Sequence, residues 1–158
     1  MKFFVKLFLS AFLVFSVPFS VGAQDDVVVT KQYDDGGMYE GTFKNGLQHG
    51  IGTYRLPNGY EYSGEWVDGE ILGVGVAKFP NGSVYEGNFI KGKPEGSGKI
   101  IFADGGTYEG TWLDGKITGQ GIAVYSNGSR FEGGFLEAMH HGQGAVSYTH
   151  LTLPTIYS

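Results

Sequence analysis

The chain has 158 residues, of which 28 are glycine, 12 phenylalanine and 10 tyrosine, with no cysteine at all. A disulfide framework and a thiolate metal site are therefore excluded, and stability is left to stacked aromatics and continuous strand pairing. The formal net charge of −5 argues against nucleic acid as a partner, because affinity for a phosphate backbone comes from Lys and Arg.

In chain order, residues 1–23 come first and read as a secretory signal helix that is cleaved. Lys2 and Lys6 precede and interrupt an apolar stretch over 3–17, Pro18 follows, and Val21-Gly22-Ala23 offers small residues for cleavage before Gln24. The apolar run is short for a bilayer span of about 20 residues, which weighs against a transmembrane anchor. Removing the segment leaves nine basic against 16 acidic residues, or −7, so the exported chain is acidic. It is expected to be periplasmic or secreted.

Residues 24–38 are expected to form a capping strand and half a repeat, with Tyr33-Asp34-Asp35-Gly36 standing where a preceding copy would close. From residue 39 one segment recurs every 23 residues, giving copies at 39–61, 62–84, 85–107 and 108–130 and a partial copy at 131–145. Each copy opens on an aromatic (Tyr39, Tyr62, Tyr85, Tyr108, Phe131), has glycine two places on (Gly41, Gly64, Gly87, Gly110, Gly133), and then a second aromatic (Phe43, Trp66, Phe89, Trp112, Phe135). A turn follows at Gly46, Gly69, Gly92 and Gly115, with Ala138 breaking that column, and then a glycine pair such as Gly50/Gly52. The first four copies run on into Asn58-Gly59, Asn81-Gly82, Asp104-Gly105 or Asn127-Gly128.

Asn-Gly and Asp-Gly are strong hairpin signals, because a type I′ turn needs positive φ at both central residues, and the type I′ turns are expected there. Each copy then reads as two short antiparallel strands. Side chains alternate faces along a strand, so Tyr39, Gly41 and Phe43 share one face, as do Gly50, Gly52 and Tyr54. Aromatic rings lying over the glycine face of the neighbouring strand would explain glycines inside strands, where they are otherwise costly. The predicted fold is all-β: an elongated single-layer antiparallel β-meander of tandem 23-residue hairpins. At about 4.8 Å between strands, five copies span about 50 Å.

The pattern Y-E-G-x-[FW]-x-x-G-x-x-x-G-x-G, in tandem, resembles the MORN (membrane occupation and recognition nexus) repeat. The resemblance covers residues 39–148, with the fifth copy incomplete, and implies a noncatalytic scaffold or protein-interaction module. It also implies two alternatives: a phospholipid-binding module on a membrane surface, or the accessory region of a larger enzyme, since such arrays occur beside kinase or methyltransferase domains.

No catalytic residue, metal ligand set or cofactor site is expected. The glutamates Glu40, Glu86, Glu109 and Glu132 repeat with the copies, as structural residues do, whereas glycoside hydrolysis needs one specialised carboxylate pair. His49 and His141 stand in the same column four copies apart, about 40 Å by the strand spacing. His140 and His141 are adjacent and so face opposite ways in a strand. Asn81-Gly82-Ser83 and Asn127-Gly128-Ser129 fit a glycosylation pattern that turn chemistry already explains. The aromatic and glycine columns are assigned to the core. Trp66 and Trp112 are candidates for a stacking surface if their face is open, and Lys91 and Lys93, with Lys44 and Lys116 in equivalent turns, are the candidate basic patch. An anionic membrane is disfavoured as partner by the acidic charge; a protein partner of unknown identity is expected, and oligomeric state is left open.

Residues 146–158 depart from the period. Val146-Ser147-Tyr148-Thr149-His150-Leu151-Thr152-Leu153-Pro154-Thr155 matches the translation of a transposase sequencing adapter, so this segment is expected to be adapter read-through on a longer natural chain. An ordinary C-terminal strand is the alternative.

Overall fold

A computed structural model describes residues 27–148 and 151–157. The signal helix expected over 1–23 lies outside them. Twelve strands form one antiparallel sheet whose spatial order is the chain order. They are β1 (Val29–Gln32), β2 (Met38–Lys44), β3 (Leu47–Arg55), β4 (Glu61–Val67), β5 (Glu70–Lys78), β6 (Val84–Ile90), β7 (Lys93–Ile101), β8 (Thr107–Leu113), β9 (Lys116–Val124), β10 (Arg130–Leu136), β11 (Met139–Tyr148) and β12 (Leu151–Tyr157). Among the described residues there is no helix.

Two kinds of connection alternate, and the type I′ turns are found at the other kind from the one expected. The two-residue tips Asn45-Gly46, Asp68-Gly69, Lys91-Gly92, Asp114-Gly115 and Glu137-Ala138 carry positive φ at both positions, as type I′ turns require. Asn58-Gly59, Asn81-Gly82, Asp104-Gly105 and Asn127-Gly128, where those turns were expected, instead lie in five-residue loops in which only the glycine takes positive φ, +91° at Gly59 and +89° at Gly82. Here Gly59 N–H donates to Leu56 C=O at 3.1 Å, and Tyr60 N–H donates to Asn58 Oδ1 at 2.9 Å. Asparagine is used for its side-chain acceptor rather than for left-handed backbone. The tips are further tied across copies: Gly69, Gly92, Gly115 and Ala138 donate their N–H to the carbonyls of Gln48, Ile71, Pro94 and Ile117. An N–H is all that this bond needs, which is why alanine serves at 138.

The first glycine of each pair sits at a register shift. Gly41 pairs with Gly52 but Phe43 with Gln48, and Gly50 absorbs the bulge at φ +76°. It therefore does not share the ring-facing role of Gly52, as simple alternation would have it. The second glycines and the Gly41 column align in register as one row across the sheet, running Gly41, Gly52, Gly64, Gly75, Gly87, Gly98, Gly110, Gly121, Gly133, Gly144.

On one face of that row lie the rings. Tyr39, Tyr62, Tyr85, Tyr108 and Phe131 fold back along their own strands over the glycines, where any Cβ would collide with them. Ten rings, in the order Phe43, Tyr39, Trp66, Tyr62, Phe89, Tyr85, Trp112, Tyr108, Phe135, Phe131, make an unbroken chain of edge-to-face contacts with centroids 4.9–5.7 Å apart. A single layer thus buries one of its faces with its own side chains, and the four tyrosines at 39, 62, 85 and 108 are at most 1% exposed.

Each of those hydroxyls donates to the carbonyl three residues on, at Thr42, Glu65, Asn88 and Thr111, over 3.0–3.2 Å. Burial raises all four phenols above the usual tyrosine value; Tyr85 is pushed up to about 12, by burial first and by the Glu95 charge second. A raised folded-state value means stability that is complete below about pH 10 and is lost as pH rises through the folded value. The sheet is therefore expected to hold up to about pH 10 and to unfold toward and beyond pH 12. Far-UV circular dichroism against pH measures this, and Tyr85→Phe should move the alkaline midpoint upward. An unmoved midpoint would show that these phenols do not govern it.

Candidate functional site

The other face of the glycine row is open. Alternation sends Glu86 and Asn88 to the side opposite Tyr85 and Phe89, and neighbouring strands do likewise, so two rows of side chains stand on either side of the bare glycine backbone. One wall is the cross-strand row Glu86, Lys99, Glu109, Ile122, Glu132. The other is formed by Val74, Ser97, Thr111 and Gln120, and Gly87, Gly98, Gly110 and Gly121 line the floor. The furrow between them encloses about 800 Å³ and crosses the strands of the central copies.

Its walls mix charge and apolar surface. Lys99 Nζ lies 3.9 Å from Glu109 Oε2, and Arg130 Nη2 lies 2.7 Å from Glu132 Oε2; both pairs face solvent, where such bridges contribute little. Val74 and Val76 are exposed beside the furrow, and the last residues of the first strands, Val67, Ile90, Leu113 and Leu136, are exposed on the same face. Apolar side chains at such intervals on an otherwise polar face are what a partner's side chains can use.

Trp66 and Trp112, candidates for a stacking surface only if their face were open, lie in a closed one. They are 5% and 6% exposed; their indole N–H groups donate to Gly52 and Gly98 C=O at 3.1 and 3.2 Å, and tyrosines crowd them on both sides. Both indoles are used in sealing the thin layer. Two lysines of the candidate basic patch, Lys93 and Lys116, are engaged in ion pairs. Lys93 Nζ meets Asp114 Oδ1 at 2.6 Å and Lys116 Nζ meets Glu137 Oε1 at 2.7 Å, each reaching the tip of the following copy, while Lys91 holds a tip turn at φ +50°. Hydrogen bonds from these lysines lower the Asp114 and Glu137 carboxyls.

The histidines take separate places. His49 Nδ1 approaches Asp68 Oδ1 at 3.4 Å. His140 stacks on Phe131 with centroids 3.6 Å apart and meets Tyr125 Oη at 2.6 Å; burial lowers its pKa. It occupies the column of Ile71 and Ile117, opposite the second aromatic of its copy, and so extends the core. Glu40 bridges to Arg55 at 3.4 Å.

The furrow went unread in the sequence, where the glycines were explained as seats for rings. The signal was present: both glycine columns recur at one period, so a single register aligns them all, and a row without side chains is a feature of both faces.

A MORN-repeat profile matches residues 39–59, 62–84, 85–107 and 108–130. The search of curated proteins returned no match. Solved structures similar to this chain include the SAS-4 (dCPAP) TCP domain of Drosophila melanogaster in complex with a proline-rich motif of Ana2 (dSTIL), with a TM-score of 0.53 and 13% identity over 82% of this chain and 72% of that one. They also include the TCP10 domain of Danio rerio CPAP in complex with a peptide of Danio rerio STIL, at a TM-score of 0.18 and 16% identity over 80% and 77%. The first likeness is one of fold alone.

Proposed function

The chain belongs to the MORN-repeat family, and from that premise we propose that it is an exported, noncatalytic interaction module that takes an extended segment of a protein partner along the glycine-floored furrow. The observation that carries this is the furrow itself: about 800 Å³ of open space across several copies, with no side chain on its floor, one wall mostly charged and the other mostly uncharged and polar. A floor of bare backbone admits a peptide main chain closely, and walls that repeat with the copies contact successive residues of it. The Drosophila domain of similar fold is seen with a proline-rich motif, which supports an extended segment as the ligand class. The acidic net charge, with Lys93 and Lys116 ion-paired, favours a protein over an anionic membrane.

Panning a displayed library of unstructured peptides against the immobilised chain tests the reading. Selected peptides are expected to bind Ser97→Trp, which fills the furrow from an exposed wall position, at least about tenfold more weakly, a loss of about 1.4 kcal/mol. Equal binding to parent and variant, with the variant folded by circular dichroism, would place the site elsewhere. Pelleting with anionic liposomes at low salt would instead support the membrane reading.

A further inference from the structure

The ring face, opposite the furrow, carries a second hollow. It encloses about 300 Å³ between Phe79 and Phe102, with Pro94, Ile100 and Trp112 supplying apolar surface around it. Ser83 lines the same hollow and is 3% exposed, the one buried polar residue among those described. Its N–H donates to Asn81 Oδ1 at 2.9 Å, but its hydroxyl has no hydrogen-bond partner among the described residues and is not sealed from the hollow. The serine one period before the last loop's end behaves otherwise than its counterpart there: Ser129 Oγ turns back onto Asn127 Oδ1 at 2.7 Å. A hydroxyl kept in apolar surroundings without a partner is costly until something brings one.

The array itself shows what such a hollow takes. One period earlier the place of Ser83 belongs to Tyr60, whose ring packs on Phe79 with centroids 6.0 Å apart and planes tilted by 58°. Phe102 is the counterpart of Phe79 one copy on, yet among the described residues no ring covers it, and it is 38% exposed. Serine at 83 has taken away an aromatic side chain and left its seat.

We propose that this hollow binds a tyrosine side chain presented by a protein partner, its ring laid against Phe102 as Tyr60 lies against Phe79 and its phenol paired with the Ser83 hydroxyl. The volume is at the lower end of ligand sites, and an apolar lining with one placed polar group is their usual chemistry. Phenylalanine would cover the apolar wall and leave the serine without a partner; tyrosine meets both needs. The hollow is on the face opposite the furrow, so this contact neither requires the furrow nor competes with it.

Titrating the full chain with p-cresol, and following the two indole N–H signals in proton–nitrogen NMR spectra, tests this. Trp112 lines the hollow while Trp66 stands two copies away, so p-cresol is expected to shift the first signal and leave the second. N-acetyltyrosinamide, which carries the same ring on a main chain, should do the same with comparable affinity. Ser83→Tyr rebuilds the arrangement of the preceding copy and should abolish the shift. Ser83→Ala keeps the hollow and removes the hydroxyl, so p-cresol should bind about fivefold more weakly, the loss of one hydrogen bond, with toluene unchanged. No shift at Trp112, equal shifts at both indoles, or a folded Ser83→Tyr that still responds would overturn the proposal. Binding of p-cresol with N-acetyltyrosinamide excluded would overturn it too, because a site closed to a ring on a main chain serves free small molecules. Should Ser83→Tyr fail to fold, an undiminished p-cresol affinity in Ser83→Ala is enough to overturn it.

Discussion

Gly87→Ala is expected to destabilise the array by about 3 kcal/mol, the upper part of the range for overpacking a filled core. An added Cβ would stand 2.5 Å from Tyr85 Oη, 2.7 Å from Gly98 Cα and 2.8 Å from Ser97 O. Two of these three atoms are backbone of the paired strand and cannot rotate away. The third is a ring buried between Phe89 and Trp112, so relief there would open the ring chain. The comparison is Gly115→Ala, at a tip whose φ is +80°. Ala138 already holds that position in the last copy, and a single left-handed alanine costs about 1–2 kcal/mol. Urea unfolding of the two variants separates collision from strain. If Gly87→Ala lost no more than Gly115→Ala, the seating of rings on bare backbone would not be what the glycine row is for.

The second large effect is at Trp112. Its truncation to alanine removes the link between Tyr85 and Tyr108 and the indole bond to Gly98 C=O, and buried Trp→Ala changes cost about 3–5 kcal/mol. Its form should be as telling as its size. In a linear array each copy leans only on its neighbours, so a break at β8 is expected to split one cooperative transition into two, the copies before it melting apart from those after it. Trp112→Phe should restore a single transition at a cost of about 1 kcal/mol, the hydrogen bond, because Phe89 and Phe135 fill the same column in other copies. Calorimetry that showed one transition for Trp112→Ala would mean the sheet, rather than the ring chain, transmits cooperativity.

Much of this architecture is written in the 23-residue columns. The hairpins, their sequential order and the pairing of rings with glycines follow from alternation and period alone. Turn type does not. Asn-Gly carries a strong local preference, yet the tips are closed by Lys91-Gly92 and even Glu137-Ala138, because a two-residue connection between right-twisted strands fixes positive φ whatever the residues are. The bond from each tip to the previous copy then offsets the strain. Burial of Trp66 and Trp112 was legible only as a condition, for whether a lone layer can cover its own face depends on how far rings reach along the sheet. The open furrow escaped because it is a property of register, shared by residues from many copies, and belongs to no single one.

The tip hydrogen bonds always run the same way: the donor belongs to the later copy and the carbonyl to the earlier one. The array therefore has a built-in order of completion. A chain appearing from its N-terminus at about 5–20 residues per second delivers a new copy every few seconds, while a hairpin closes in about 1–10 μs. Each newcomer finds its acceptor in place and waits for nothing still to come. Such a structure can be lengthened or shortened by whole copies in its middle, the cut ends rejoining on identical terms, so that reach along the furrow can be varied without redesigning any one copy.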